Sequence, residues 1–454
     1  MLVSFAKSVQ GESHKRRENQ TENIETGRKF PCQDKSFAQK SMVANDGSQF
    51  DFIVVCDGHG GAAYFRSDLG AGFAIDVLKD MLVRNMTRIS ELAANNEFEK
   101  IKTQLALGIT KRWREKVEKH LSENLITELE YTYLETENPE AVKKYQDNKD
   151  LYAIYGCTLI AFFETKSFWY ALQIGDGDFS LSYDGKTFEF PMPEDKDCFL
   201  NQTTSLCDDN AKDEFRFCYG QKLPSVAFCS SDGVANSFKS EEQLKKFYLS
   251  VHELFNEADF NQCQKLECRN PSLCNSDCKE KLAINEIDNY LPVLSKKGSG
   301  DDISLAGIVH LDEVRCQAAK DYLRGYRLYK NGQKAEGKKL LSKSAQVGYD
   351  KAWYRCGEIV LREAVGIAKQ DTKILQFEKA KTCFERALKL GIEEAQEQIT
   401  YIETEIQVLH GIGKSVQNEI KEALKPIEVQ FNEELEELKG KLDSIPTTQE
   451  EVEK

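Results

Sequence analysis

Apolar residues in the first two-thirds of the chain come in short runs, each closed by a turn-forming pair. Residues 3–14 alternate weakly and end in Gly11-Glu12-Ser13-His14. A charged, loop-like stretch, residues 15–29, follows. Residues 35–43 and 51–56 read as a hairpin about the Asp46-Gly47 turn. Within it, residues 52–56 are mostly apolar, the mark of a buried strand. Residues 62–150 turn to helical spacing, with Phe73, Val77, Leu78, Met81 and Leu82, then Leu105, Ile109, Trp113 and Val117. A helix is expected to start near Ala62, and the polar residues 125–150 are expected to form a surface connection. Strand patterns return at 151–163, 168–174 and 179–183, the last closing at Asp184-Gly185. Residues 191–222 read as irregular. A short strand is expected at 225–229, helix over 240–290 with a cysteine-rich interruption, and a final strand at 303–310.

Beyond residue 315 no strand pattern remains. Gln333-Lys-Ala-Glu-Gly with Gly348-Tyr-Asp-Lys-Ala352 recurs as Gln376-Phe-Glu-Lys-Ala with Gly391-Ile-Glu-Glu-Ala395, an offset of 43 residues. Small residues at fixed places let paired helices pack closely, as in tetratricopeptide-like or Sel-like repeats, which build concave partner-binding surfaces. A plain helical bundle is the alternative. From 399 to 442, apolar residues such as Ile399, Ile402, Ile406, Leu409, Val416 and Ile420 recur at mostly three- and four-residue steps, predicting a long amphipathic or coiled-coil helix. Gly411, Gly413 and Pro426 should bend or break it. An acidic tail ends the chain.

Composition narrows the class. The chain has 454 residues, enough for two or three domains, and 40% hydrophobic residues supply a sizeable core. A net charge of −14 argues against a general nucleic-acid binder, which needs a basic face. No apolar run reaches membrane-spanning length, and the first residues lack the apolar segment of a secretory signal. Fourteen cysteines without such a signal point to reduced thiols and a cytoplasmic location.

The chemistry lies in five aspartates. Asp57, Asp176, Asp232 and Asp301 each adjoin an apolar strand and a glycine, and Asp34 sits just before a strand. Strand ends converge at one edge of a sheet, so these carboxylates can meet in space. Grouped anionic oxygens repel unless cations sit among them. Hard oxygen donors favour Mg²⁺ or Mn²⁺ over Zn²⁺. Two such ions can activate a water and stabilise the oxyanions of phosphoryl transfer. In Asp57-Gly58-His59-Gly60-Gly61 the glycines permit close backbone approach, and the histidine can trade protons near neutral pH.

The ordered set Gln33-Asp34, Asp57-Gly58-His59-Gly60-Gly61, Gly156-Cys157-Thr158, Gly175-Asp176-Gly177, Ser231-Asp232-Gly233 and Asp301-Asp302-Ile303-Ser304 resembles the metal-dependent protein phosphatases of the 2C type. Gly11-Glu12-Ser13-His14 with Pro31-Cys32-Gln33-Asp34 is similar to a bacterial branch of that family. The resemblance covers roughly residues 1–312. It implies an α+β fold, a central antiparallel β-sandwich flanked by helices in α-β-β-α layers. An all-α repeat region, residues 316–400, and a C-terminal helix and tail, residues 401–454, would follow.

The resemblance also implies hydrolysis of phosphoserine or phosphothreonine with two Mn²⁺ or Mg²⁺ ions. By position, Asp57 would bridge both metals and the Gly58 carbonyl would bind one. Asp232 and Asp301 would hold the other, and Asp34 would act through water. Asp176 matches a third, weaker metal site. His59 would be the general acid. The phosphate-binding arginine of the family precedes the first aspartate; here Arg28, Lys29 and His14 compete, with Arg28 favoured because guanidinium grips phosphate bidentately. One departure is Gly175-Asp176-Gly177-Asp178, where the family has Gly-Asp-Ser-Arg.

Cys263, Cys268, Cys274 and Cys278 cluster in one insert. Free thiols, a zinc site and disulfides remain open there. Expected partners are a phosphoprotein substrate and a protein bound by the C-terminal helices, with self-association through the last helix left open. Neither nucleic acid nor membrane is expected. The alternative is an inactive pseudophosphatase scaffold, motivated by the altered residues after Asp176, Gly177-Asp178.

Overall fold

A computed structural model describes residues 2–14, 31–194, 203–256, 276–409, 422–427, 429–432 and 434. The chain forms two compact units, Met1–Glu313 and Val314–Lys454.

Two antiparallel sheets make the centre of the first unit. One has the order β1-β9-β8-β6, formed by Leu2–Val9, Ile303–His310, Val226–Ser230 and Asp178–Ser182. The other has the order β2-β3-β4-β5-β7, formed by Lys35–Val43, Gln49–Cys56, Leu159–Glu164, Trp169–Ile174 and Arg216–Gly220. Strand β3 shows why its sequence is apolar throughout. Side chains alternate between faces, and here both faces are covered. Phe52, Val54 and Cys56 pack in a core with helices α1 (Ser67–Ala94) and α2 (Phe98–Glu123), while Ile53 and Val55 join Phe179, Cys229 and Ile308 between the sheets. Across the other sheet, Tyr248 of a helix over Glu241–Asn256 stacks on Phe228. The layers are therefore α-β-β-α.

Four local readings are corrected. Residues 62–64 are a 3-10 turn, and the long helix begins at Ser67. The polar connection over 125–150 contains two helices, Glu128–Glu137 and Pro139–Gln146. Thr127 and Glu130 form a reciprocal capping box at the start of the first. Tyr133, Leu134 and Tyr145 are buried, too few apolar positions to show as a period. Strand β4 begins at Leu159, because Ala153–Tyr155 is a 3-10 turn and Gly156 leads into the bridge of Cys157 with Gly58. The irregular stretch over 191–222 includes β7, which pairs with β5. As a half-buried edge strand carrying Arg216 and Tyr219, β7 lacks a clean alternation.

The described part of the second unit is helical over Glu313–Lys330, Lys334–Gln346, Asp350–Val365, Gln370–Lys389 and Ala395–Leu409. The repeat is visible in it. Gly348 and Gly391 both adopt left-handed backbone, φ 87° and 99°. Each is followed by a six-residue back-bond, Tyr349 N to Ser344 O and Ile392 N to Ala387 O, which satisfies a helix-end carbonyl. Ala352 and Ala395 are fully buried. Most of the expected helix beyond Leu409 lies outside the described residues.

Candidate active site

The pairing register brings the strand ends together. Lys35 pairs with Cys56, so the start of β2, after Asp34, lies beside the end of β3, before Asp57. Ser230 pairs with Leu305 and with Asp178, which sets Asp232, Asp301 and Asp176 at the same end of the sandwich. There a cavity of about 350 Å³ is lined by Asp57, Asp176, Asp232, Asp301, Asp302, His14 and His59. No lysine or arginine is among its described lining residues.

The Asp57–Gly60 loop is fixed from several sides. Thr158 N donates to Asp57 O at 2.8 Å, and His59 N donates to Gly156 O at 3.0 Å. The His59 carbonyl accepts from Gln33 Nε2 at 2.9 Å and Ser67 Oγ at 3.0 Å. A Cβ on Gly58 would stand 2.6 Å from the Gln33 carbonyl oxygen, so this close approach requires glycine.

Electrostatics reflect the crowding. Burial, then the charges of Asp34 and Asp232, push the Asp57 carboxyl well above the usual range. Burial and the Asp176 charge raise Asp232. Asp34 is 1% exposed and lies behind the lining. Burial and the Asp302 charge push it up to about 7, although Ser231, Asp57 and Ser304 pull it back. Neither Asp34 oxygen makes a hydrogen bond of ordinary geometry among the described residues. Burial of His59 lowers its pKa to about 4, with the Asp176 charge opposing.

Asp302 behaves differently. It accepts from Gly11 N at 2.7 Å, Gln33 N at 2.6 Å and His14 Nδ1 at 2.8 Å. Burial alone would raise its pKa, but these contacts hold it below the usual range. It therefore ties the N-terminal segment to the site, while His14 Nε2 lies 3.7 Å from Asp301 Oδ1.

Two further residues stand at the site, one noted in the sequence only as a departure from the family pattern and one not noted at all. Asp178 follows Asp176 at the start of β6; burial, then the charges of Asp232 and Asp176, push it up to about 6. Its signal was the departure from Gly-Asp-Ser-Arg. Ser205, whose Oγ is 2.7 Å from His59 Nε2, had no signal, being 146 positions away in sequence. Arg28, Lys29, Cys263, Cys268 and Cys274 lie outside the described residues, and of Cys278 only the backbone is described.

Crowded buried carboxylates, with both Asp34 oxygens and Asp178 Oδ2 lacking a hydrogen bond of ordinary geometry among the described residues, fit a hard divalent cation such as Mg²⁺ or Mn²⁺. Yet among the described residues no three His, Cys, Asp or Glu side chains close on one point as ligands of a single ion.

Residues 21–268, more than half of the chain, match the family model of protein phosphatase 2C. The chain belongs to the protein phosphatase 2C family. The first unit of this phosphatase 2C member extends past both ends of the match, since β1 and β9, which pair with each other, lie outside it. No curated protein matches the chain.

Several solved structures are similar to this phosphatase 2C member. PppA, a key regulatory component of T6SS in Pseudomonas aeruginosa, is 14% identical, with TM-score 0.38, covering 68% of this chain and 97% of its own. The catalytic domain of the serine threonine protein phosphatase PstP, in complex with two manganese ions, is 12% identical, with TM-score 0.36 and coverages of 68% and 99%. The S. agalactiae serine/threonine phosphatase has the same identity, TM-score and coverages as PstP. Family membership rests on the sequence match. Among the described residues, no helix is long and apolar enough to cross a membrane.

Proposed function

We propose that the chain hydrolyses phosphoserine and phosphothreonine in proteins, using Mn²⁺ or Mg²⁺. The observation that carries this reading is the gathering of Asp57, Asp176, Asp232 and Asp301 around one cavity without a described lysine or arginine in its lining. Asp57 and the Gly58 carbonyl, with Asp232 and Asp301, would hold two ions. Asp34 would act through water, and Asp176 would serve a third, weaker site. When bound, the ions would activate the attacking water and neutralise the phosphoryl oxygens.

The protein's own groups do the rest. His59 donates a proton to the departing seryl or threonyl oxygen, as general acids do. Phosphate is oriented by Arg28 or His14; the latter lines the cavity and is braced by Asp302. The helical repeats recruit a protein partner, a reading supported by the paired helices of the second unit.

A second reading, an inactive scaffold, is favoured by Asp178, which replaces a cation with an anion beside Asp176. Phosphate release from a phosphothreonine peptide with Mn²⁺ separates the two. The native chain should turn over and a folded Asp57→Asn variant should not. Equal release by both would contradict the assigned role of Asp57, and no release by the native chain would favour the scaffold.

A further inference from the structure

We propose that Gln173 is a positioning residue whose side-chain amide aims the Asp176 carboxylate and so sets the affinity of the third, weaker cation site. The inference rests on the metal-dependent phosphatase reading and on the place it gives Asp176. Gln173 lies on β5, two residues before Gly175, and is 2% exposed. Its Nε2 donates to the Gly175 carbonyl at 3.0 Å and to the Gly177 carbonyl at 2.6 Å. A side-chain amide nitrogen has two N–H donors, and these two carbonyls use both. They bracket Asp176, whose side chain lines the cavity. One buried amide therefore holds the loop across its base, with the carboxylate at its tip.

The loop is shaped for this grip. Gly175 has left-handed backbone, φ 104°, which favours glycine. A Cβ on Gly177 would stand 2.5 Å from the Ser230 carbonyl oxygen, so the loop lies closer to β8 than a serine at this place would allow. Gly175 N donates to Thr204 Oγ1 at 3.0 Å, and Arg216 Nη2 donates to the Gly175 carbonyl as well. Those contacts hold the Gly175 side of the loop, whereas Gln173 spans both sides. A carboxylate on a loop held in this way keeps its direction before a cation arrives, and less order is lost on binding.

The test counts Mn²⁺ on the full chain by isothermal titration calorimetry, beside Asp176→Asn and Gln173→Met, the latter filling similar space without a donor. The native chain should bind two ions tightly and a third weakly, and Asp176→Asn should lose the third. Gln173→Met should weaken the third by about tenfold or more, the cost of losing a partner that orients a ligand, and leave the two tight ions within about twofold by the same reasoning. In the metal-free variant, hydrogen exchange should rise over residues 174–178 and match the native chain elsewhere in both sheets. If Gln173→Met does not fold, Gln173→Asn, one methylene short of the two carbonyls, should show the same selective loss. A third site lost in Asp176→Asn but unchanged in folded Gln173→Met, an equal loss at all three sites, or unchanged exchange over 174–178 would overturn the role of Gln173 alone. A native chain without a third site, or a third site that survives in Asp176→Asn, would overturn the assignment of Asp176 and this role with it. No Mn²⁺ bound by the native chain would overturn the metal-dependent reading itself.

Discussion

The guanidinium of Arg66 grips Glu130 through two parallel hydrogen bonds, Nε to Oε1 at 2.9 Å and Nη2 to Oε2 at 2.8 Å. Its other N–H groups reach Tyr155 Oη at 2.9 Å and the carbonyls of Asn124 and Leu125 at 2.7 and 3.1 Å. Arg66 adjoins Ser67, which braces the His59 carbonyl. One buried cation therefore ties the helix over Glu128–Glu137 to the segment whose Ser67 braces the candidate catalytic loop.

Removing it should be costly. Arg66→Ala removes the buried charge partner of Glu130, which keeps its Thr127 donors, and the donor to the Asn124 and Leu125 carbonyls, and the expected loss is about 3–5 kcal/mol, the range for breaking a buried pair. Arg66→Lys should recover little, because an ammonium cannot reproduce the bidentate fork. Urea unfolding monitored by circular dichroism measures both.

The same pair gives a pH dependence. Burial would raise the Glu130 pKa, but hydrogen bonds from Arg66 and Thr127 outweigh it and lower the value. A carboxyl with a depressed folded pKa contributes stability above its unfolded value, roughly 4.3, and loses it as pH falls through the folded value. The stability gap between the native chain and Glu130→Gln should be full at neutral pH and close in acid. Denaturation midpoints across pH test this.

The opposite sign is expected at the other end of the sandwich. Glu164, 1% exposed at its side chain, lies 2.6 Å from His310 Nε2. Burial raises the Glu164 pKa despite that contact. Such a group contributes stability below its unfolded value and loses it as pH rises through the folded one. His310→Ala strips the carboxylate of its partner, so the expected cost of about 1–3 kcal/mol should grow from acid to neutral pH. Thermal unfolding at the two pH values checks the trend.

Divalent metal should stabilise the first unit by mass action, since it binds the folded site only. Asp34→Asn removes one of several crowded buried carboxylates, whose ionisation is opposed by burial and the Asp302 charge, so the metal-free variant should melt no lower than the native chain. Its Mn²⁺-induced rise in Tm should be smaller. Differential scanning calorimetry with and without Mn²⁺ reads both effects.

The strands and their acidic ends were legible because strand ends carry their own punctuation, while the sandwich followed from the family resemblance. Residues 52–56 read as a buried strand with Asp57 at its end, and the structure covers that strand on both faces. The two repeats were legible from Gly348 and Gly391, whose left-handed backbone sets each turn. Strand β7 was not, since an edge strand buries too little to impose a pattern. Nor were the helices over 125–150, which are set by a capping box and a few buried side chains. Ser205 was invisible because its partner is chosen by the fold, through Cys157 and Gly175, with no local motif. Asp302 read as part of a metal motif, yet it binds backbone amides and His14.

Crystals soaked in Mn²⁺ and measured at the manganese absorption edge test the central claim most directly. The account predicts anomalous peaks in the cavity, with Asp57 between two ions and Asp232 and Asp301 as further ligands. A well-ordered cavity with these carboxylates free of manganese at millimolar soak would contradict it.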